Sequence, residues 1–376
     1  MSYLGRGLVD PGLVNPQVAH LPPPPESRSL EALAARHGLP VEAFACLDAN
    51  ENPLGASERA LEAVRGSLAE AHRYPDAAAS RLRSALAERH GVPEARVFLG
   101  SGSTQVIELL VRTFVGPGQT VLGGWPSFAA YRAAAEVAGR EFLAAPLRQG
   151  RLDLAALSAL ADPRTKLVFI ANPNNPTGTH VSLRELAAFL NRMPPEALVV
   201  VDEAYADFVE AEDYPDAIRE LLPGHPRLVV LRTFSKSHGL AGLRIGYGVM
   251  APALVRSLEL VQPLHSVNLA ALVGAEAALA DGEHVERGRR MVLRERVKVR
   301  ERLAKMGLTV IPSQGNFHWV GGLPRDMARR LERRGVLVRC MSGYGAEDAI
   351  RAAVGPPEAN ARLFEALTAE LIEASA

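Results

Sequence analysis

A lysine set among hydroxyls and followed by an arginine is the most reactive-looking stretch of this chain. Within residues 232–246, Lys236 is preceded by Thr233 and Ser235, and Arg244 follows it by eight residues. Gly239, Gly242 and Gly246 lie around them. Two hydroxyls and a guanidinium suit a phosphate dianion, and glycines let backbone approach a ligand closely. An amine beside a phosphate clamp points to a Schiff base with a phosphorylated aldehyde; an ordinary loop lysine is the plain alternative. In residues 198–205 an apolar run ends at Asp202, with Tyr205 three residues on. A carboxylate there can keep a ring nitrogen protonated, and a phenol can hydrogen-bond a ring oxygen. A capping aspartate beside a packed tyrosine fits the same residues. The turn 172–178 holds Pro173, Pro176 and Gly178, which stiffen it and can aim Asn175 at a ligand. Residues 100–104 (Gly-Ser-Gly, then Ser103 and Thr104) join a strand to a helix whose first N–H groups suit a phosphate. No Gly-Lys-Ser/Thr follows, so this is not a Walker loop.

These segments need a scaffold. The pattern predicts helices over 30–37, 57–71, 80–90, 104–114 and 128–138, and strands over 96–99, 120–122, 167–171, 198–201, 228–231 and 245–250. Ser182 and Glu185 form a capping box ahead of a helix reaching Leu190. Short apolar strands alternating with helices imply an α/β fold, a mostly parallel sheet flanked by helices. After about residue 265 the texture changes. A charged helix over 283–306, short strands near Thr309, Phe317 and Val336, a helix opened by Pro324 and closed by Gly335, and a helix over 357–373 read as a smaller α+β domain. The expected division is 1–55 (an N-terminal arm and part of the small domain), 56–265 (large domain) and 266–376 (small C-terminal domain). Pro11, Pro16 and the prolines at 22–25 favour an extended arm.

Composition narrows the function classes. The 376 residues carry 42 Lys plus Arg against 42 Asp plus Glu, so no basic surplus marks a nucleic-acid binder. The arginines between 287 and 302 alternate with Glu286, Glu295 and Glu301 and read as a solvated helix face. Two cysteines, Cys46 and Cys340, cannot build a disulfide framework or a Cys-rich zinc site. Without a long apolar run or a signal-peptide pattern, the expected compartment is the cytoplasm, with no membrane partner.

Taken together and in this order, the motifs resemble those of the fold type I pyridoxal-phosphate (PLP) aminotransferases. The closer resemblance is to the histidinol-phosphate aminotransferase subfamily, through residues 49–55, 73–76, 172–178, 201–205, the Lys236 segment, and 338–355. The resemblance implies that Lys236 condenses with the cofactor aldehyde and then moves the proton between Cα and the cofactor. Asp202 pairs with the pyridine nitrogen, while Asn175 and Tyr205 hydrogen-bond the phenolic oxygen. Ser103, Thr104, Thr233, Ser235 and Arg244 bind the phosphate, and Phe128 stacks on the ring. Tyr74 reaches the phosphate of a neighbouring subunit's cofactor, which implies a homodimer. Arg351 clamps a substrate carboxylate, Arg339 adds charge, and Asn52 lies near the substrate. Thr104 and Phe128 stand where the subfamily usually has an acidic residue and a tyrosine. The implied activity is transamination from glutamate, the amino donor, to imidazole acetol phosphate, the keto acceptor, in histidine biosynthesis. An aromatic amino acid aminotransferase or a phosphothreonine-type PLP decarboxylase is the alternative. Ser237-His238 departs from the subfamily's usual pair, and His238 reads as a packing or turn residue, with a substrate contact as the alternative.

Overall fold

The structure, a computed structural model, describes Leu13, Leu21 and residues 29–375. The expected proline-rich arm, with Pro11, Pro16 and the prolines at 22–25, lies outside the described residues. Thirteen strands are described: β1 (Ala45–Cys46), β2 (Val97–Gly100), β3 (Thr120–Trp125), β4 (Glu141–Pro146), β5 (Thr165–Ala171), β6 (Leu198–Asp202), β7 (Leu228–Thr233), β8 (Gly246–Val249), β9 (Thr309–Val310), β10 (Phe317–Gly321), β11 (Val336–Leu337), β12 (Arg339–Cys340) and β13 (Ile350–Ala353).

Seven strands form the main sheet, in the order β2-β8-β7-β6-β5-β3-β4. β3, β4, β5, β6 and β7 pair in parallel, and β8 runs against its neighbours β7 and β2. Alternate residues serve opposite faces. Val168, Ile170, Val199, Val201 and Val230 join one apolar cluster, while Leu167, Phe169, Leu198, Val200 and Val229 join the other. Each face is covered by helices, which is why these strands are continuously apolar. On the first face Leu82, Leu86, Leu157, Leu186 and Phe189 descend from helices; on the second, Val106, Ile107, Leu110, Val255 and Leu258 do so. Burying each such side chain stabilises by about 1.5–3 kcal/mol. From β3 the chain adds β4 on one side and then crosses back to add β5, β6 and β7 on the other. The carboxyl ends of β3 and β5 therefore flank a reversal of strand order, where open α/β sheets place ligands.

A second sheet, β12-β13-β10-β9, is antiparallel, and β1 pairs in parallel with β11. Ala45 and Leu47 share an apolar cluster with Val299, Leu303, Val320, Leu331, Ile350 and Leu363, so the stretch before residue 50 packs with the C-terminal part. The capping box forms as expected: Ser182 Oγ accepts from the Glu185 N–H and Glu185 accepts from the Ser182 N–H. Gly38 and Gly91 close their helices in the left-handed conformation. The helix expected over 57–71 spans Glu58–Ser67 and ends in a 3-10 turn. The helix expected to open at Pro324 starts at Met327. The helix Leu269–Leu279, beyond the expected boundary at 265, buries Ala271, Leu272 and Ala275 in the main-sheet cluster. Among the described residues no helix is long and apolar enough to cross a membrane.

Two buried histidines, His238 and His318, and the half-buried His90 are held neutral. Burial pushes His90, His238 and His318 down to about 4. His318 donates from Nε2 to the Arg296 carbonyl at 2.9 Å. The unfolded chain takes up protons near pH 6.5 and the folded one resists until about 4, so stability present above pH 6.5 is lost as the pH falls. Denaturation midpoints are expected to drop between pH 7 and 5. In His318→Gln the slope of unfolding free energy should be shallower by up to about 1.4 kcal/mol per pH unit; an unchanged slope would refute a neutral His318.

Candidate active site

A cavity of about 380 Å³ opens at the carboxyl ends of the main strands. Twelve of the residues singled out from the sequence line it: Ser103, Thr104, Phe128, Asn175, Asp202, Tyr205, Thr233, Ser235, Lys236, Arg244, Arg339 and Arg351. Two do not. Tyr74 is 84% exposed and its ring stacks on His265 at 4.7 Å. Asn52 is spent on backbone: Nδ2 donates to the Ser237 carbonyl at 2.7 Å, and Oδ1 accepts from the Leu54 N–H at 2.9 Å. The structure gives Asn52 the task of pinning the loop beside Lys236.

Lys236 Nζ donates to the Ala49 carbonyl at 3.0 Å. Burial, then the charge of Arg351, with Arg244 adding and Glu51 and Asp202 opposing, pushes its ammonium down to about 8. A lysine so depressed is neutral, and nucleophilic, in a useful fraction near neutral pH. Asp202, the last residue of β6, is buried and held above the usual carboxylate range by that burial. Hydrogen bonds from Tyr131 Oη to Oδ2 at 2.8 Å and from the Ala204 N–H to Oδ1 at 3.1 Å oppose the shift. Tyr131 was not singled out from the sequence; it stacks on Phe169 at 4.5 Å and reads there as an ordinary helix residue. Tyr205 accepts from Asn50 Nδ2 at 3.1 Å and meets Phe317 edge-on. Asn50 and Asp48, both in the stretch after β1, are further site residues that the sequence reading missed.

The asparagines of the 172–178 turn divide their work. Asn172 exchanges hydrogen bonds with the Val181 backbone, and Asn174 binds Ser127, Thr177 and the Pro126 carbonyl. Asn175 is left facing the cavity, where its Oδ1 accepts from Arg351 Nη1 at 2.7 Å.

Two arginines offer charge that no carboxylate within 4 Å neutralises among the described residues. Arg244, at φ 59, donates to the Ala241 carbonyl at 2.7 Å. Gly102 sits at φ 75, and a Cβ at Gly246 would lie 2.4 Å from the Ser103 nitrogen, so glycine at these two positions lets the cradle form. The helix Gly102–Phe114 starts two residues earlier than expected, which puts Ser103 and Thr104 in its first turn, where N–H groups are free of helical partners. Thr233 and Ser235 add hydroxyls. This donor set fits a phosphate dianion. Arg351 is buried, donates to the Asp48 carbonyl, and keeps a buried Nε with no partner among the described residues. Arg339 stands directly opposite it on β12. Like charges so placed repel unless an anion bridges them, which fits a carboxylate or phosphate substrate group.

Residues 44–367 match the family model described as aminotransferase class I and II. The chain belongs to that family. Aminotransferase relatives cover nearly all of it. The histidinol-phosphate aminotransferase of Anaeromyxobacter sp. (strain Fw109-5) is 45% identical over 94% of this chain and 98% of its own. That of Symbiobacterium thermophilum is 43% identical over 87% and 90%. A histidinol-phosphate aminotransferase from Sinorhizobium meliloti, solved in complex with pyridoxal-5'-phosphate, superposes with a TM-score of 0.87 at 27% identity, covering 97% of this chain and 98% of its own. The expected fold, a fold type I aminotransferase with a smaller second sheet, is therefore the observed one.

A carboxylate raised by burial costs the aminotransferase fold stability as the pH rises past the unfolded-state value. Asp202→Asn should therefore melt no lower than the wild type in cofactor-free protein at pH 8. Its turnover should fall more than about tenfold, because a neutral amide cannot hold a ring proton. Near-normal turnover would reject the role of Asp202 at a ring nitrogen.

Proposed function

We propose that this aminotransferase moves the amino group of L-glutamate to imidazole acetol phosphate, giving 2-oxoglutarate and L-histidinol phosphate, with pyridoxal phosphate as cofactor. One observation carries the reading: a single cavity is lined by a lysine depressed to about 8, by Arg244 and by the Arg351–Arg339 pair. The names of the curated relatives support the choice of substrate.

When bound, pyridoxal phosphate supplies an aldehyde that takes up the amino group and a ring that absorbs the electron pair left at Cα. The chain's own residues do the rest. Arg244, Ser103, Thr104, Thr233 and Ser235 hold the phosphate. Phe128 would pack on the ring face, and Asn175 and Tyr205 would face its phenolic oxygen. Asp202 would hold the proton at the ring nitrogen, its carboxylate oriented by Tyr131. Lys236 Nζ would carry the proton between the substrate Cα and the cofactor. Arg351 binds the donor's carboxylate and then the acceptor's phosphate, and Arg339 adds the second positive charge. The two half-reactions thus use one pair of arginines in turn.

In the same proposal the protein is a cytoplasmic homodimer in histidine biosynthesis. The outward position of Tyr74 supports a reach into a second copy's cofactor site. We set the boundary between the large and small units after Asp281, because the helix Leu269–Leu279 packs with the main sheet.

A substrate panel on the cofactor-loaded protein tests the reading. With glutamate as donor, kcat/KM for imidazole acetol phosphate should exceed that for phenylpyruvate by more than about tenfold. The opposite order would make the protein an aromatic aminotransferase, and carbon dioxide release from phosphothreonine a decarboxylase. Lys236→Ala should lose transfer yet still quench on adding cofactor, through its phosphate; borohydride should label Lys236 in the wild type. Retained turnover in that variant would remove Lys236 as the proton carrier.

A further inference from the structure

Strands β12 and β13 bring Arg339 and Arg351 together, and the loop between them does more than connect. It carries Tyr344 on a 3-10 turn, Ser342–Tyr344, closed by Gly345 in the left-handed conformation. The Tyr344 ring packs on Trp125, the last residue of β3, with centroids 5.0 Å apart. Trp125 is held in turn by the Arg132 guanidinium, 5.4 Å from its ring centroid. Tyr344 lines the same cavity as Lys236 and is only half-buried. It is thus an aromatic ring at the cavity, steadied by the main sheet and covalently tied to both arginine strands.

The other aromatic rings of the cavity are committed. Tyr131 is stacked on Phe169 and bonded to Asp202. Tyr205 is bonded to Asn50 and packed on Phe317. Phe128 meets Tyr131 edge-on and is assigned above to the cofactor face. Among the described residues the Tyr344 hydroxyl makes no hydrogen bond. A half-buried ring, backed by Trp125 and with its hydroxyl unbonded, beside a pair of cations matches a substrate that joins a flat ring to an anionic end.

We propose that Tyr344 is a specificity-determining residue, packing against the imidazole of the substrate while Arg351 and Arg339 hold the anionic end. The assignment rests on the activity proposed above and deepens it. Glutamate has the anionic ends but no ring, so a ring contact adds to one substrate of the pair and not to the other. Such a contact enters the ratio of the two specificities directly.

The test compares wild type, Tyr344→Phe and Tyr344→Ala as cofactor-loaded enzymes, with histidinol phosphate and with glutamate as amino donors. In Tyr344→Ala the ratio of KM for histidinol phosphate to KM for glutamate should rise about 3- to 10-fold, the range of an aromatic contact. Tyr344→Phe, which keeps the ring, should stay within about twofold of the wild-type ratio. Cofactor affinity, read by absorbance titration, should also stay within about twofold in both variants. An unchanged ratio in Tyr344→Ala, an equal shift for both donors, or a loss in Tyr344→Phe as large as in Tyr344→Ala would overturn the assignment. So would a weakened hold on the cofactor. If the wild type rejects histidinol phosphate, it is the proposed activity that fails. The same ratio with phenylalanine against glutamate then decides Tyr344 separately.

Discussion

One buried guanidinium, Arg351, ties together three parts of the chain that are far apart in sequence. It sits on β13 of the small sheet, donates to Asn175 in the turn after β5 of the main sheet, and donates to the Asp48 carbonyl in the stretch after β1. Burying a guanidinium is costly unless its donors are met, and here two are met while Nε is not. The unmet donor and the facing Arg339 leave the site short of negative charge. That shortage helps to depress Lys236, and it suits an anionic group at the same place. A fit for an anion and a depressed amine thus share a physical cause.

Around this group, backbone from one segment is held by side chains of another. Asn316, just before β10, donates to the carbonyls of Asn50 and Glu51. The Ala353 N–H donates to the Leu47 carbonyl, and Lys236 donates to Ala49. The stretch 47–52 therefore serves as a strip shared between the two sheets, and the cavity lies along it. Beneath the lysine, Arg232 Nη2 meets Glu203 Oε2 at 2.7 Å, with the Glu203 side chain fully buried. Burial raises Glu203, while its carboxylate and Asp207 hold Arg232 firmly charged. Asp207 also accepts from Ser237 Oγ, and Ser237 Oγ contacts His238 Nδ1 at 3.1 Å. A buried pair of this kind fixes geometry more than it adds stability; here it fixes the loop that carries Lys236. His238 packs on Phe234 and stays neutral, as a packing residue does.

Some elements could not be read from the residues in isolation, and the reasons differ. The helix Leu269–Leu279 is apolar on nearly all sides, so no periodic stripe marks it. β13 reads Ile-Arg-Ala-Ala, with two weak strand formers and a charge, and is a strand because β10 and β12 pair with it on both sides. β4 is an edge strand that ends in Pro146 and pairs only with β3. Tyr131 carries no local mark of its bond to Asp202, since the two are 71 residues apart. Nothing local marks the hydrogen bond from Asn52 to the Ser237 carbonyl, since the two are 185 residues apart.

The local order of residue types was enough to determine the alternation of buried strands and helices, the chemical types needed for an amine, a ring-nitrogen partner and a phosphate cradle, and the strand ends that carry them. Those features depend on short-range patterning: period-two burial, helix caps, and glycines where backbone must come close. Tertiary structure alone decided which groups remain free to act. Asn175 faces the cavity because Asn172 and Asn174 are used in holding the turn, Arg351 keeps its charge unpaired because no carboxylate of the described residues comes within 4 Å, and Lys236 is depressed because burial and a distant arginine converge on it. Whether a polar group is spent or available depends on which neighbours the fold brings within about 3 Å of it, and those neighbours lie far away along the chain.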